Sequence, residues 1–239
     1  MTATAEPKIQ GRRALILFTR VPVPGKTKTR LEPELSPEQC AQAQRAFLRD
    51  IFAACLAPDE WDTLVFYGDE GPVSDLRRLL PEQCGFHPQR GCGLGEKMDT
   101  AIRCTLAMGY GECVLTGTDV PELSRDIIAE AFAKLADNDL VLGPTLDGGY
   151  YLIGCRRECT AVFTDQTYGS GSVLANTLSA ARHAGFSCAV TNLMQDVDEP
   201  EDLRALSLRL ARSGNVCQHT RAFLLELGWM AETKRRGWQ

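Results

Sequence analysis

The sequence predicts an α/β protein, a three-layer α/β/α sandwich around a mostly parallel, mixed sheet. Two observations carry that reading. Short apolar runs alternate along the chain with segments whose apolar residues recur at helical spacing, the signature of strand and crossover-helix units. Several of the runs are continuously apolar, as strands covered on both faces are.

The 239 residues, 44% hydrophobic and 24% charged, suit one larger domain: a core over about 12–210 and a C-terminal helical tail over 211–239. A net charge of −5 predicts no nucleic-acid partner, because any basic site has to be local. No apolar run reaches the roughly 20 residues of a membrane span, and Met1 to Gln10 lacks the signal-peptide pattern, so no membrane span is expected and the cytoplasm is the default location. Ten cysteines are scattered without a C-x-x-C pair. They read as small buried hydrophobes, and the Cys155/Cys159 pair has no nearby histidine to make a zinc site. Any metal would be a hard ion held by carboxylates.

Taken in order, Ala14 to Phe18 is the first strand. The connection after it, Arg20 to Leu31, carries Pro22, Pro24 and Gly25 with the basic residues Arg20, Lys26, Lys28 and Arg30. Such a loop either stays a solvated basic turn or offers N–H groups, ammoniums and a guanidinium fork to a polyphosphate. Its spacing is not that of a P-loop. Ser36-Pro37 opens a helix with Ala43, Ala46, Phe47, Ile51 and Ala54 on one face. Thr63 to Tyr67 is the second strand, Asp75 to Leu80 a short helix closed by Pro81, and Gly85 to Pro88 a weaker third strand.

Gly91, Gly93 and Gly95 precede a helix bearing Met98, Ile102 and Leu106, and N–H groups at such a start can meet an anion or a base edge. Val114 to Thr116 then forms a strand that ends at Gly117-Thr118-Asp119-Val120-Pro121. Asp119 either caps a turn or the next helix, or performs chemistry at the carboxyl edge, where open α/β sheets bind ligands. Ser124 is expected to cap a helix through Ile127, Ile128, Ala131 and Leu135.

Asp139 to Pro144 and Tyr150 to Gly154 are two strands joined at Asp147-Gly148-Gly149, a hairpin signal. The same glycines let a ligand approach the backbone, with Asp147 as a hydroxyl acceptor. Ser172 to Ala184 is a helix and Ser187 to Val190 a strand. Asp196, Asp198, Glu199, Glu201 and Asp202 cluster ahead of a helix starting near Pro200; some must cap it, which leaves Asp196 and Asp198 free. The tail shows helical spacing at Ala222, Leu225 and Leu227 and a basic end.

Five motifs, in this order, resemble one family: Pro24-Gly25 with Lys28-Thr29-Arg30-Leu31, Gly93 to Met98, Gly117 to Leu123, Asp147 to Gly154 and Asp196 to Leu203. The likeness, from about Ala14 to Leu206, is to the bacterial glycosyltransferases associated with radical-SAM and selenium proteins. These belong to the GT-A nucleotide-diphospho-sugar transferase fold, similar to 2-phospholactate guanylyltransferases and molybdopterin nucleotidyltransferases.

The resemblance implies a nucleotide or nucleotide-sugar across the carboxyl edge and a small-molecule acceptor. The nucleotide would be met by Arg20, Pro24, Gly25, Lys26, Lys28, Arg30, Gly93, Leu94, Gly95 and Thr118. Lys28 and Arg30 would hold phosphates, and Asp119, Asp198 and Asp196 a catalytic Mg²⁺ or Mn²⁺. Asp147, Gly148, Gly149 and Tyr150 would face the sugar or acceptor. Two positions depart from the family pattern: Lys97 stands where Arg is common, and Tyr168-Gly169-Ser170 replaces a Trp-Gly-Thr or Trp-Ser-Thr. Glycosyl transfer and nucleotidyl transfer are both consistent with these motifs, as is a non-catalytic nucleotide-binding module. They name no oligomeric state.

Overall fold

The computed structural model describes residues 11–81 and 83–230. Its seven-stranded sheet has the order β3-β2-β1-β4-β6-β5-β7. The strands are β1 (Arg13–Thr19), β2 (Asp62–Tyr67), β3 (Gly85–Pro88), β4 (Glu112–Thr116), β5 (Leu140–Pro144), β6 (Tyr150–Cys155) and β7 (Cys188–Val190). All neighbours pair in parallel except β6, which lies antiparallel between β4 and β5. The Asp147-Gly148-Gly149 hairpin is therefore present, and it folds its second strand back into the sheet.

Helices cover both faces: α1 (Pro37–Cys55), α2 (Val73–Arg77), α3 (Leu94–Ala107), α4 (Arg125–Leu135), α5 (Val173–His183), α6 (Pro200–Arg212) and α7 (Gln218–Glu226). The alternation of β1 divides the core. Leu15 and Leu17 pack with Leu48 and Ile51 of α1, Leu76 of α2 and Phe132 of α4. Ala14 and Ile16 point to the other side, against Met98 and Ile102 of α3 and Ala181 of α5. A third cluster forms on the outer side of α1, where Ala43 and Phe47 meet Leu203, Leu206 and Leu210 of α6 and Phe223 of α7. Each large apolar side chain fully buried in this way contributes about 1.5–3 kcal/mol of transfer free energy.

Helix starts follow the local chemistry. Ser36 accepts from the Gln39 N–H while Gln39 returns a bond to the Ser36 N–H, with Pro37 in the first turn. Glu199 and Asp202 form the equivalent reciprocal pair at α6. Ser124 occupies the position before α4 in extended conformation, but its hydroxyl makes no capping bond. In the tail the helix is real and its expected face is only partly right, since of its three residues Leu227 alone packs against the third cluster. Phe223 and Leu224 are buried, whereas Ala222 and Leu225 are exposed, because α7 packs on α1 and its start is fixed by Asp50. Buried Asp50 of α1 accepts from the His219 and Thr220 N–H groups at 2.9 and 2.7 Å. The basic end expected after residue 230 lies outside the described residues.

All ten cysteines are free thiols, six of them buried. Burial pushes Cys55 up to about 12 and Cys40 to about 11, so they behave as inert apolar side chains. Among the described residues no helix is long and apolar enough to cross a membrane.

Candidate functional site

Adjacent parallel strands β1 and β4 end at Thr19 and Thr116, and antiparallel β6 begins at the same edge with Tyr150. The loops leaving these ends enclose a cleft of about 640 Å³. It lies outside the carboxyl ends of the parallel strands, where their loops can converge on one ligand.

One ammonium ties the cleft together. Lys28 precedes a 3₁₀ turn, Thr29–Leu31, and has left-handed backbone angles, φ 53° and ψ 34°. Its side chain is only 5% exposed and forms an ion pair with Asp119 Oδ1. The Nζ also lies 3.6 Å from Asp198 Oδ1, donates to the Val197 carbonyl at 2.6 Å and sits 5.5 Å over the Phe47 ring. A buried ammonium is costly unless paired in this way. Arg30, more exposed, reaches the other oxygen of Asp198 at 3.4 Å.

Further carboxylates gather beside Asp119 and Asp198. Asp196 is pushed up to about 6, first by its burial and then by the charges of Asp147, Asp198 and Asp119. Asp147 Oδ1 accepts from the Thr145 hydroxyl at 2.6 Å and the Gly149 N–H at 2.9 Å, so one of its oxygens shapes the hairpin turn. Tyr150 and Tyr168 bring their hydroxyls to 3.5 Å, and burial holds the Tyr150 phenol well above its ordinary range.

The floor consists of residues that sequence reasoning passed over. Gln44, 3% exposed on α1, donates to the Thr118 hydroxyl at 2.7 Å and the Thr19 hydroxyl at 3.2 Å. Gln89 donates to the carbonyls of Thr19 and Phe66, at the ends of β1 and β2. A glutamine amid the apolar residues of a helix was the available signal, since buried polar groups need partners. Nothing in the sequence said which partners.

Of the expected residues, Arg20, Lys28, Arg30, Gly93, Leu94, Thr118, Asp119, Asp147, Gly149, Tyr150, Asp196 and Asp198 line this one cleft, together with Lys97 and Tyr168. Its lining does not include Pro24, Gly25, Lys26, Gly95 or Gly148. Pro24 and Gly25 form an exposed loop tip, and Lys26 Nζ donates to the Glu70 carbonyl. Arg20 faces the carboxylate of Glu70 at 3.7 Å, so half of the basic loop is engaged with the segment after β2. Gly95 is buried, with no room for a Cβ against the Phe163 carbonyl and the Tyr168 ring. Gly148 turns at φ +86°, where an added Cβ would lie 2.1 Å from the Gly171 carbonyl.

Among the described residues no three His, Cys, Asp or Glu side chains are grouped closely enough to hold a metal ion by themselves. Donor chemistry nevertheless suits a hard cation, and a cation already stands between Asp119 and Asp198, the ammonium of Lys28. Mg²⁺ is commonly held by one or two carboxylates with substrate phosphates completing its shell, so a carboxylate pair is a sufficient protein contribution.

The fold is shared with proteins of known structure. A protein of Desulfovibrio desulfuricans G20, whose designation as a nucleotide-diphospho-sugar transferase is provisional, is 31% identical, with a TM-score of 0.85 over 92% of this chain and 96% of that one. The 4-diphosphocytidyl-2C-methyl-D-erythritol synthase of Anaerococcus prevotii DSM 20548 is 9% identical, with a TM-score of 0.55 over 84% of this chain and 98% of that one. CMP:2-keto-3-deoxy-manno-octonic acid synthetase, complexed with CTP, gives 9% and 0.54 over 84% and 99%. At 9% identity these two likenesses concern the fold alone. No curated protein matches the sequence. A family model matches residues 51–170, the stretch holding Gly93, Asp119 and Asp147 to Tyr150. The chain belongs to that family, described as "Uncharacterized protein conserved in bacteria (DUF2064)", and has the nucleotide-diphospho-sugar transferase type of α/β fold.

Proposed function

We propose that the protein is a metal-assisted transferase acting on a nucleotide-activated substrate, and that it transfers a glycosyl group from a nucleoside-diphospho-sugar to a small acceptor. The observation that carries this is the convergence of Lys28, Asp119 and Asp198 at the carboxyl edge, in a cleft lined by both basic and acidic side chains. The 31% identical relative with its transferase designation supports the donor class.

In this reading Arg20, Lys28, Arg30 and Lys97 meet the diphosphate, and the start of α3 at Gly93 and Leu94, which has no side-chain cap, adds partial positive charge. Such groups favour departure of a diphosphate because they stand where its charge develops. Asp119 and Asp198, with Asp196 near them, would hold the Mg²⁺ or Mn²⁺. The ion would supply Lewis-acid stabilisation of the leaving phosphate. Asp147, Gly149 and Tyr150 bound the sugar and acceptor, and Tyr150 with Tyr168 gives that end an apolar wall carrying neutral hydroxyls. The association with radical-SAM and selenium proteins belongs to the same reading and assigns no residue.

A second reading is nucleotidyl transfer, in which a phosphorylated substrate attacks the α-phosphorus of a nucleoside triphosphate and pyrophosphate leaves. The shared fold of the two cytidylyl-type synthetases favours it. Calorimetry with nucleoside di- and triphosphates, with and without Mn²⁺, tests both. Metal-dependent nucleotide binding is expected, and its complete absence overturns both transferase readings. Release of nucleoside diphosphate rather than pyrophosphate then selects glycosyl transfer.

A further inference from the structure

We propose that Lys28 is a tethered counter-ion: it closes the Asp119–Asp198 pair in the nucleotide-free protein and yields to a divalent cation only when phosphates arrive to receive its ammonium. The inference rests on the reading of the cleft as a nucleotide and metal site, and adds an order of binding to it.

The geometry is specific. Lys28 Nζ contacts Asp119 and lies 3.6 Å from Asp198, the two carboxylates a metal would need. A divalent ion on the same oxygens would stand within a few ångströms of an ammonium that is 5% exposed. Two cations at such a separation repel strongly wherever solvent screening is weak. Metal alone therefore has to evict Lys28 from both of its carboxylate partners with no phosphate in the cleft to receive it. A nucleotide changes that balance, because its phosphates offer the ammonium a new partner beside Arg30 and Lys97, which already line the cleft.

The backbone is compatible with such a swing. Lys28 is a non-glycine residue at φ 53°, a left-handed conformation that is strained for an L-residue. Its bonds to Asp119 and the Val197 carbonyl offset that strain in the closed state. The exchange leaves these groups two charges more positive, which the incoming phosphates offset. The carboxylate pair and Lys28 together carry one negative charge; with a divalent cation in place the pair is neutral and Lys28 is free for the phosphates. Metal and nucleotide then bind with positive, reciprocal coupling.

The test is Mn²⁺ binding by the full chain, followed by electron paramagnetic resonance, alone and with GDP, CDP, UDP and ADP in turn, each against a protein-free nucleotide baseline. Wild type should bind Mn²⁺ alone at least about tenfold more weakly than with the preferred diphosphate. Lys28→Met should bind Mn²⁺ alone about tenfold more tightly than wild type, and Mn²⁺ alone should raise its melting temperature more. Lys28→Gly, suited to φ 53°, should do the same and serves if the Met variant folds poorly. Equal Mn²⁺ affinity with and without nucleotide in wild type, or Mn²⁺ affinity unchanged in both variants, overturns the proposal while leaving the transferase reading intact. Absence of Mn²⁺ binding under every condition overturns both.

Discussion

The Val197 N–H donates to the Asp119 carbonyl at 2.8 Å, while the Val197 carbonyl accepts from Lys28. One residue thus joins the end of the fourth strand, the acidic loop before α6 and the basic loop after the first strand. Because the bond to Asp119 is made by its backbone, the side chain can be changed without undoing the junction. Asp119→Asn should fold, keep the Lys28–Val197 bond, and lose metal-dependent nucleotide binding. The loss should exceed the roughly 10- to 100-fold that removing an outer partner of a metal ligand costs. Titration of Mn²⁺ and nucleoside diphosphate into the variant measures it; unchanged affinity would remove Asp119 from the site.

Asp196 gives a pH signature. Its folded-state value of about 6 lies above the ordinary 3.8, so the folded protein holds this proton more firmly than the unfolded chain between about pH 4 and 6. Stability contributed by this residue falls as pH rises through that window, and the penalty is fully present at neutral pH. In the absence of divalent cations, Asp196→Asn should stabilise the protein by about 1–2 kcal/mol at pH 7.5, after allowance for solvent screening. At pH 4 the two proteins should have nearly the same urea midpoint. An equal gain at both pH values would mean the effect is not electrostatic.

Asp50 predicts a purely structural defect. Asp50→Ala leaves the His219 and Thr220 N–H groups without their acceptor at a buried helix start and should cost about 1–3 kcal/mol. Urea unfolding reads the loss directly. Nucleotide affinity measured well below the transition should equal that of wild type, since α7 packs on α1 and contributes nothing to the cleft lining.

Gly148→Ala tests the hairpin turn. A Cβ there would lie 2.1 Å from the Gly171 carbonyl and would hold an L-residue at φ +86°. The turn and the segment before α5 have to separate, which should break the Leu174 N–H to Gly148 carbonyl bond of 2.9 Å. Amide exchange at Leu174 should accelerate, with a stability loss of more than about 2 kcal/mol, the strain of the left-handed backbone plus the clash. Protection at Leu174 equal to wild type would contradict this.

What could be read from the sequence was whatever is encoded locally. Apolar runs marked the strands other than the weaker Gly85 to Pro88, Asp147-Gly148-Gly149 marked the hairpin, and Ser36-Pro37 and the acids before Pro200 marked two helix starts, because these depend on residues a few positions apart. The placement of β6 between β4 and β5 was not readable, since pairing partners of equally apolar strands are chosen by the whole sheet. Gln44 gave no hint of Thr19 and Thr118, and Ala222 and Leu225 fit a helical face as well as Phe223 and Leu224 until α1 was there to choose. Lys28 was legible as a basic residue of the loop after the first strand but not in its partner. Its charge suits phosphates and carboxylates equally, and only the fold shows that Asp119 and Asp198 reach it in this state.

The reversed direction of β6 divides the cleft into two kinds of architecture. The side carrying the basic loop is held by β1 and β4, whose positions depend on long crossovers and on cores above and below the sheet. The opposite side begins at a turn of a few residues between two strands that pair with each other. A turn can change length or side chains without moving β1 or β4. In the proposed transferase reading, proteins with this topology can diversify what they accept while leaving the basic loop untouched, and screening turn variants from Thr145 to Tyr150 tests whether the turn selects the acceptor.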